Sequence, residues 1–176
     1  IGQGASASIT SRIESIGSDL IQVTPGAQRG PGEFISSGRG SAQTLTLADA
    51  EAVQKEISLA KAVAPEVSRR YQITAAGANT NTSVVGTVPA YASVRNLQVA
   101  EGQFVTEQNV ASNAKVAVLG PTARDDLFGA DATDLEVIGK TVRINKITFK
   151  VIGVTAAKGG TGFGNQDDMI FIPIST

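Results

Sequence analysis

Two pairs of adjacent carboxylates, Asp125-Asp126 and Asp167-Asp168, are the residues whose type and spacing could bind calcium or share a proton. The chain has no His and no Cys, which excludes the commonest general base, the commonest transition-metal ligand and a cysteine nucleophile. Because neighbouring side chains in a strand point to opposite faces, one ion cannot easily use both acids of a pair. We therefore expect Asp167 to accept hydrogen bonds from backbone amides of its loop, and Asp168 to lie on a solvated strand edge.

A hydrolase without histidine would need a Ser–Lys pair or carboxylates alone. Ser and Thr are abundant, and Lys115 or Lys158 could in principle activate one of them, but no spacing singles out such a pair. The sequence therefore predicts no catalytic residue, no metal and no cofactor.

A glycine-rich segment, Gly159 to Gly164, precedes the second pair of acids and has the composition of a phosphate-binding loop. A dinucleotide-binding loop follows a strand and opens a helix, whereas this segment leads into an apolar strand. No Lys followed by Ser or Thr comes after it. We therefore predict a loop that moves against a neighbouring chain, with Gly162, Phe163 and Asp167 as candidate partner contacts.

A second long loop is predicted at residues 26–45, which are rich in Gly and Ser and lack periodic apolar residues. Phe34 and Ile35 are the exceptions. They are candidate partner contacts, although the simpler interpretation is that Phe34 packs onto the nearby sheet.

The charges are nearly balanced, with 15 Lys and Arg against 16 Asp and Glu and a net charge of −1. This balance offers no attraction to nucleic acid or to anionic lipid, so no nucleic-acid partner is expected. No apolar run approaches the roughly 18 residues that cross a bilayer. The chain opens at Ile1 in the middle of a helical pattern, so we expect it to be a piece of a longer protein.

Apolar spacing predicts the elements that position these residues. The first group comprises helices at 4–16 and 47–58 and strands at 19–24, 63–76, 81–88 and 169–174. Thr46 and Asp49 predict a capping box at the start of the second helix. Asn79 to Asn81 are predicted to form the turn between the two middle strands.

A second group of elements is predicted between residues 90 and 155. It comprises a strand at 115–119, a helix at 121–128, an acidic loop at 129–136 and a hairpin at 137–154 with its tip at Asn145-Lys146. Two short helical segments, at 89–97 and 106–111, complete the prediction. The pattern indicates an α+β fold in two subdomains: a split βαβ-like layer formed by 1–89 plus 156–176, and an inserted mixed α/β unit formed by 90–155.

The final segment reads FKVIGVTAAKGGTGFGNQDDMIFIPIST and resembles the end of the core segment in the extracytoplasmic domain of MacB-like ABC transporter permeases. Two further stretches match that family's pattern, Gly2 to Gly26 and Gly86 to Val154. The matched positions in the second stretch include Tyr91, Val94-Arg95-Asn96, Gly102, Phe104, Glu107, Val116 to Gly120, Leu127-Phe128-Gly129, Gly139 and Ile144-Asn145. The likeness therefore spans essentially the whole chain.

This chain departs from the family pattern at three places. Asn109 replaces the usual acid, which predicts a weaker helix cap. Lys146 stands where Gly would suit a tight turn, which predicts a different turn type. The chain stops at Thr176, where relatives continue with about one more helix and strand, so we expect an exposed sheet edge that pairs with another chain.

The resemblance implies a porter-like subdomain with an inserted subdomain, on the extracytoplasmic side of the bacterial cell membrane. It implies a non-catalytic part of a transporter that passes ATP-driven motion to an exported substrate or an adaptor protein. The implied partners are the parent chain's own transmembrane segments, an ABC ATPase domain or subunit, a second permease copy and a periplasmic adaptor. Two alternatives stay open: the domain of a lipoprotein-handling permease and a stand-alone peptide-binding module.

Overall fold

The computed structural model describes residues 20–26, 44–158 and 166–176. The chain divides into two compact units, Ile1–Val63 and Ala64–Thr176. The helix predicted at 4–16 lies outside the described residues. No helix in the described ranges is long and apolar enough to cross a bilayer.

The first unit contains helix α1 (Leu47–Glu56), which begins at the predicted capping box. The Thr46 side chain accepts from the Asp49 amide, and the Asp49 carboxylate accepts from the Thr46 amide at 2.7 Å. The strand predicted at 19–24 is wrong over the residues described, because 20–26 belong to no helix or strand. Ile21 and Val23 are 86% and 70% exposed, so their alternation with polar residues reflects no buried face.

The described residues of the second unit, 64–158 and 166–176, form seven strands and four short helices. The strands are β1 (Glu66–Ala75), β2 (Ala78–Thr87), β3 (Val99–Gly102), β4 (Val116–Leu119), β5 (Thr141–Ile144), β6 (Ile147–Thr155) and β7 (Met169–Pro173). The helices are α2 (Ala90–Val94), α3 (Glu107–Ala111), α4 (Pro121–Phe128) and α5 (Asp134–Val137). This content confirms the predicted α+β class.

All seven strands belong to one sheet with the order β3-β6-β4-β7-β2-β1-β5. Strand β5 also pairs with β6, so the pairings of six strands return to their starting point and form a closed ring. The closure between β1 and β5 rests on two residue pairs, Ile73 with Ile144 and Thr74 with Arg143. Strand β7 joins β2, from the first predicted subdomain, to β4, from the second. The division at 90–155 remains a prediction.

One hairpin turn lies at a different position from the one predicted, and the other lies at the predicted position but has a different turn type from the one predicted. The turn between β1 and β2 lies at Ala76-Gly77, where both residues have positive φ, and Asn79 to Asn81 belong to β2 instead. Gly77, at φ +86°, adopts this conformation without steric cost. At the second turn, Asn145 and Lys146 have φ of 45° and 70°. We predicted that Lys146 would change the turn type, and this is wrong. Lys146 adopts the left-handed conformation that a tight two-residue hairpin turn requires.

The short helices are defined by their first residues. Asn109 forms a complete capping box with Thr106, in which its amide oxygen accepts from the Thr106 amide at 3.1 Å. That this cap is weaker than one with an acid stays a prediction. Pro121 opens α4 at the predicted position. The segment predicted as an acidic loop at 129–136 contains the start of α5, because Thr133 and Glu136 form a third capping box.

The sheet buries apolar residues on both of its faces. The inner cluster takes side chains from all six strands of the ring and from α4 and α5, including Ile73, Leu127 and Phe149. The outer cluster contains Val85, Tyr91, Val105, Val118 and Phe171. The ring is therefore filled within and partly covered outside, which makes it a stiff body.

Candidate partner-contact site at the base of the glycine-rich loop

The glycine-rich segment connects the end of β6 to the start of β7, and the described residues on both sides of it are hydrogen-bonded to the body. We call this region the loop base, defined by Arg95, Gly120, Lys158, Asp167 and Asp168. Strand β4 lies between β6 and β7 and pairs with both, so it sets the spacing between the two ends of the connection.

Asp167 joins the two ends of the connection directly. Its Oδ1 accepts a hydrogen bond from the Lys158 amide at 2.9 Å, nine residues earlier in the chain. Its backbone carbonyl accepts from the amide of Thr122 at 3.0 Å, in the first turn of α4. The prediction that this carboxylate caps a loop amide is confirmed. Asp167 thereby connects the loop base to both β6 and α4.

Gly120 allows α4 to approach this junction. Its amide donates to the Met169 carbonyl at 2.8 Å. A Cβ at this position would lie 2.9 Å from the Met169 carbonyl oxygen and still closer to that of Asp167. Both obstacles are backbone atoms, so no side-chain movement could relieve the clash. Glycine is required here because a side chain would clash with neighbouring backbone. The backbone conformation does not require it, since the φ of Gly120 is an ordinary −73°.

Lys158 links the loop base to α2. Its Nζ donates to the carbonyl of Arg95 at 2.7 Å. Partial burial, together with the nearby Arg95 guanidinium, lowers the pKa of the Lys158 ammonium. The cation therefore acts as a tether between the loop and the C-terminal end of α2, where exposed carbonyls favour positive charge.

Arg95 extends this link to the start of β1. Its Nη2 lies 3.2 Å from Oε1 of Glu66, and its guanidinium lies 5.7 Å from the centre of the Tyr91 ring. Burial raises the pKa of Tyr91 to about 12, and the neighbouring Glu66 charge acts in the same direction. The phenol therefore stays neutral across the physiological range.

Asp168 attaches the start of β7 to the other side of the sheet. Its carboxylate lies 3.5 Å from Nη2 of Arg70, and its carbonyl accepts from Oγ1 of Thr82 at 2.8 Å. Its side chain is 25% exposed, whereas Arg70 is 66% exposed. Asp168 is thus an ion-paired residue that is largely shielded from solvent, and not the fully solvated edge residue that was predicted.

The other acidic pair does not form a joint site. Asp125 pairs with Arg124, and Asp126 accepts from Oγ1 of Thr80 at 2.7 Å. Over the described part of the chain, no three acidic residues are grouped closely enough to hold a metal ion.

The predicted partner contacts are distributed unevenly. Asp167 lies at the loop base, while Phe34, Ile35, Gly162 and Phe163 lie outside the described residues, so their role as contacts stays a prediction. Sequence reasoning missed Arg95 and Lys158 as parts of the loop base. Their hydrogen bond spans 63 residues, and no local pattern signals a contact at that separation.

The comparisons with known proteins agree along the whole chain. The profile of the MacB-like periplasmic core domain matches residues 1–176. Relatives named "Macrolide export ATP-binding/permease protein MacB" are 37% identical in Bdellovibrio bacteriovorus and 36% identical in Chlorobaculum tepidum, each over 176 residues. These alignments cover 100% of this chain and 26% of each relative. The chain thus spans about a quarter of the length of those relatives.

Two solved structures have the same fold. The periplasmic region of MacB from Actinobacillus actinomycetemcomitans superposes with a TM-score of 0.73 and 27% identity, over 96% of this chain and 71% of that one. The extracellular domain of the ABC-type transporter YknZ from Gram-positive bacteria superposes with a TM-score of 0.62 and 20% identity, over 74% of this chain and 63% of that one.

Proposed function

The chain belongs to the family of MacB-like periplasmic core domains, and from that premise we propose that it transmits motion driven by ATP hydrolysis to an exported substrate or an adaptor protein. In this proposal it is the extracytoplasmic part of an ABC transporter permease and does no covalent chemistry itself. The match to the family over residues 1–176 is the observation that carries the proposal.

The architecture of residues 64–176 supports a mechanical role. A closed ring of strand pairings with a filled interior resists shear better than an open sheet, because each strand is held on both sides for part of its length. A displacement applied at one point of such a body moves the whole body. Transmission of motion requires a body that moves as one unit, whereas a lid over an active site must move independently of the body that it covers.

The loop base supports a contact role for the glycine-rich segment. Asp167 and Lys158 tie its two ends together, and Asp168 and Arg70 tie its far end to β1. A partner that presses on residues between these anchors would push on β6, β7 and β1 together.

The proposal is tested in the full-length parent transporter by measuring ATP hydrolysis and ATP-dependent export separately. Asp167→Ala removes the side-chain acceptor at the loop base and should reduce export several-fold while ATP hydrolysis persists. The matched control is Asp131→Ala, which removes an exposed acid from the loop after α4 and should change neither rate. Equal export by both variants, or parallel loss of export and hydrolysis in Asp167→Ala, would contradict transmission through the loop base.

The partner contacts are tested by cross-linking in membranes. Residues 1–176 contain no Cys, so an introduced cysteine is the only thiol in this part of the parent, and any cysteines elsewhere in the parent are first replaced. A maleimide photo-cross-linker at Phe163→Cys or Phe34→Cys should capture a second permease copy or an adaptor. The control, Leu135→Cys, places the thiol at a residue that is 71% exposed on α5 and should capture neither. Capture of lipoprotein cargo instead would favour a lipoprotein-handling permease.

A further inference from the structure

A row of polar side chains crosses three strands on the outer face of the sheet. We call it the hairpin face, defined by Thr74 of β1, Thr141 and Arg143 of β5, and Thr148 and Lys150 of β6. The register sets Arg143 opposite Thr74 on one side and opposite Thr148 on the other. Lys150 is opposite Thr141 in the next row.

The alternation of the strands turns these side chains outward. Val142, Ile144 and Phe149 are at most 3% exposed and belong to the inner cluster. The members of the hairpin face occupy the alternate positions and are all exposed. The hairpin face is therefore the solvent-exposed side of strands whose other side is buried in the inner cluster.

An open depression of about 430 Å³ lies in this face. Thr74, Thr141, Arg143 and Thr148 line it, together with the backbone of the turn at Ala75 to Gly77. The lining contains one cation and three hydroxyl groups but no acid. Lys150 lies beside it and lines a neighbouring depression of about 350 Å³ with Gln103 and Ile138.

The cations of the hairpin face have no acidic partner among the residues that the structure describes. Within the described ranges, neither Arg143 nor Lys150 takes part in an ion pair or in a side-chain hydrogen bond to another residue. Arg70, Arg95 and Arg124 each pair with an acid. Residues 138–151 contain four basic residues and no acidic one. The excess positive charge on this face is therefore local, because the chain as a whole has a net charge of −1.

We infer that the hairpin face is a docking surface for an acidic segment of a partner protein. The Arg143 guanidinium is a planar fork that binds a carboxylate through two parallel hydrogen bonds. Thr74 and Thr148, opposite it on either side, supply hydroxyl donors to the same group, and Lys150 attracts a second carboxylate farther along the segment. The inference concerns the chemistry of a partner and holds whether or not the domain transmits motion.

A protein segment fits this face better than a membrane surface. The exposed side chains that line the depression are threonines, an arginine and Ala76, with no aromatic or long aliphatic group that could enter a bilayer. The hairpin face holds two cations, Arg143 and Lys150, among hydroxyl donors, which makes it a directional site; the other two basic residues of 138–151, Lys140 and Lys146, are not members of it. Binding to anionic lipid relies on clusters of about four to eight Lys or Arg.

The test uses the 176-residue chain and a fluorescein-labelled hexaglutamate peptide, with binding followed by fluorescence anisotropy at about 50 mM salt, where screening is weak. Arg143→Gln should weaken binding by about 10-fold or more, and Lys150→Gln by a smaller factor. Arg143→Lys keeps the charge but loses the fork, so its affinity should fall between those of wild type and Arg143→Gln. Far-UV circular dichroism should be unchanged, because all these side chains are exposed.

Arg69→Gln is the matched control, since Arg69 is an exposed arginine of β1 that points to the opposite face from Thr74. This substitution removes the same charge and should leave the affinity for the peptide within about 2-fold of the wild-type value. Equal weakening by Arg69→Gln would overturn the inference, because it would show attraction to overall charge. Tighter binding to phosphatidylglycerol vesicles, or displacement of the peptide by millimolar inorganic phosphate, would also overturn it in favour of a phosphate-bearing ligand.

Discussion

At the scale of single residues, the loop base depends on close backbone approach as much as on charge. Gly120 lets α4 begin against the backbone of Asp167 and Met169, and Asp167 then accepts from the amide of Lys158. The ion pair between Arg95 and Glu66 lies beside a buried phenol, so charge and burial act together on Tyr91.

Gly120→Ala should destabilise the chain by about 1–3 kcal/mol, because the new Cβ overlaps backbone that cannot move aside. Thermal unfolding followed by circular dichroism measures the change. Gly86→Ala is the control: its Cβ would lie 3.5 Å from the nearest heavy atom, Cα of Ile174, which is an ordinary contact. A melting temperature for Gly120→Ala equal to that of the control would refute the steric explanation.

Tyr91 makes stability depend on pH in alkaline solution. Its pKa is about 12 in the folded protein and about 10 in an unfolded chain, so the folded state holds the phenol proton more tightly. The stabilisation from the protonated Tyr91 phenol is fully present below about pH 10 and is lost as the pH rises toward 12. The free energy of unfolding should fall by about 2–3 kcal/mol over that range.

Urea denaturation at a series of pH values between about 9 and 12 tests this expectation. In Tyr91→Phe the decline should be smaller by the amount assigned to the phenol. Tyr71→Phe, which alters the other tyrosine of the chain, should keep the decline. An unchanged slope in Tyr91→Phe would assign the pH dependence to another group.

At the scale of elements, the helices owe their positions to short sequence signals and their stability to the sheet. Thr106 and Asn109 define the start of α3, and Pro121 defines the start of α4. Helix α4 has only eight residues, so it is too short to be stable alone and depends on burying Ala123 and Leu127.

Leu127→Ala should cost about 2–5 kcal/mol, since the side chain is 1% exposed and its loss leaves a cavity in the inner cluster. Leu135→Ala, at a leucine that is 71% exposed, should change stability by less than about 0.5 kcal/mol. Chemical denaturation of the two variants supplies the comparison. Similar midpoints would mean that α4 does not contribute to the core.

At the scale of the whole molecule, strand β7 is central to residues 64–176. It pairs in parallel with β2 and antiparallel with β4, so it connects the two groups of elements that the sequence predicts as subdomains. The ring then closes through β5 and β1. The predicted subdomains therefore share one hydrogen-bonded framework.

Because of this shared framework, residues 64–155 and 166–176 should unfold together. Native-state hydrogen exchange should give similar opening free energies for central amides of β2, β4, β6 and β7. Exchange of β4 and β6 at a distinctly lower free energy than β2 would instead show that the unit inserted at 90–155 opens independently.

Several elements could be predicted because their signals are local. The capping box at Thr46, the helix that opens at Pro121 and the alternation in β1 and β6 each depend on residues within a few positions of one another. The cap by Asp167 spans nine residues within one loop, so the composition of that loop was enough to predict it. The turn at Ala76-Gly77 was missed because the asparagines that follow it are stronger turn formers, and the pairing of β1 with β2 overrode their preference.

The sequence by itself excluded histidine and cysteine chemistry, and it determined the α+β class and the resemblance to MacB-like domains. Residue types and local periodicity suffice for each of these conclusions. Only the tertiary structure decided that the strands close into a ring, that Lys158 reaches Arg95 and that Arg143 lies opposite Thr74 of β1, with no acidic partner in the described ranges. Those contacts join residues that are far apart in the chain. The strand register is selected by burial of the whole inner cluster, to which all six strands of the ring contribute and which no single segment encodes.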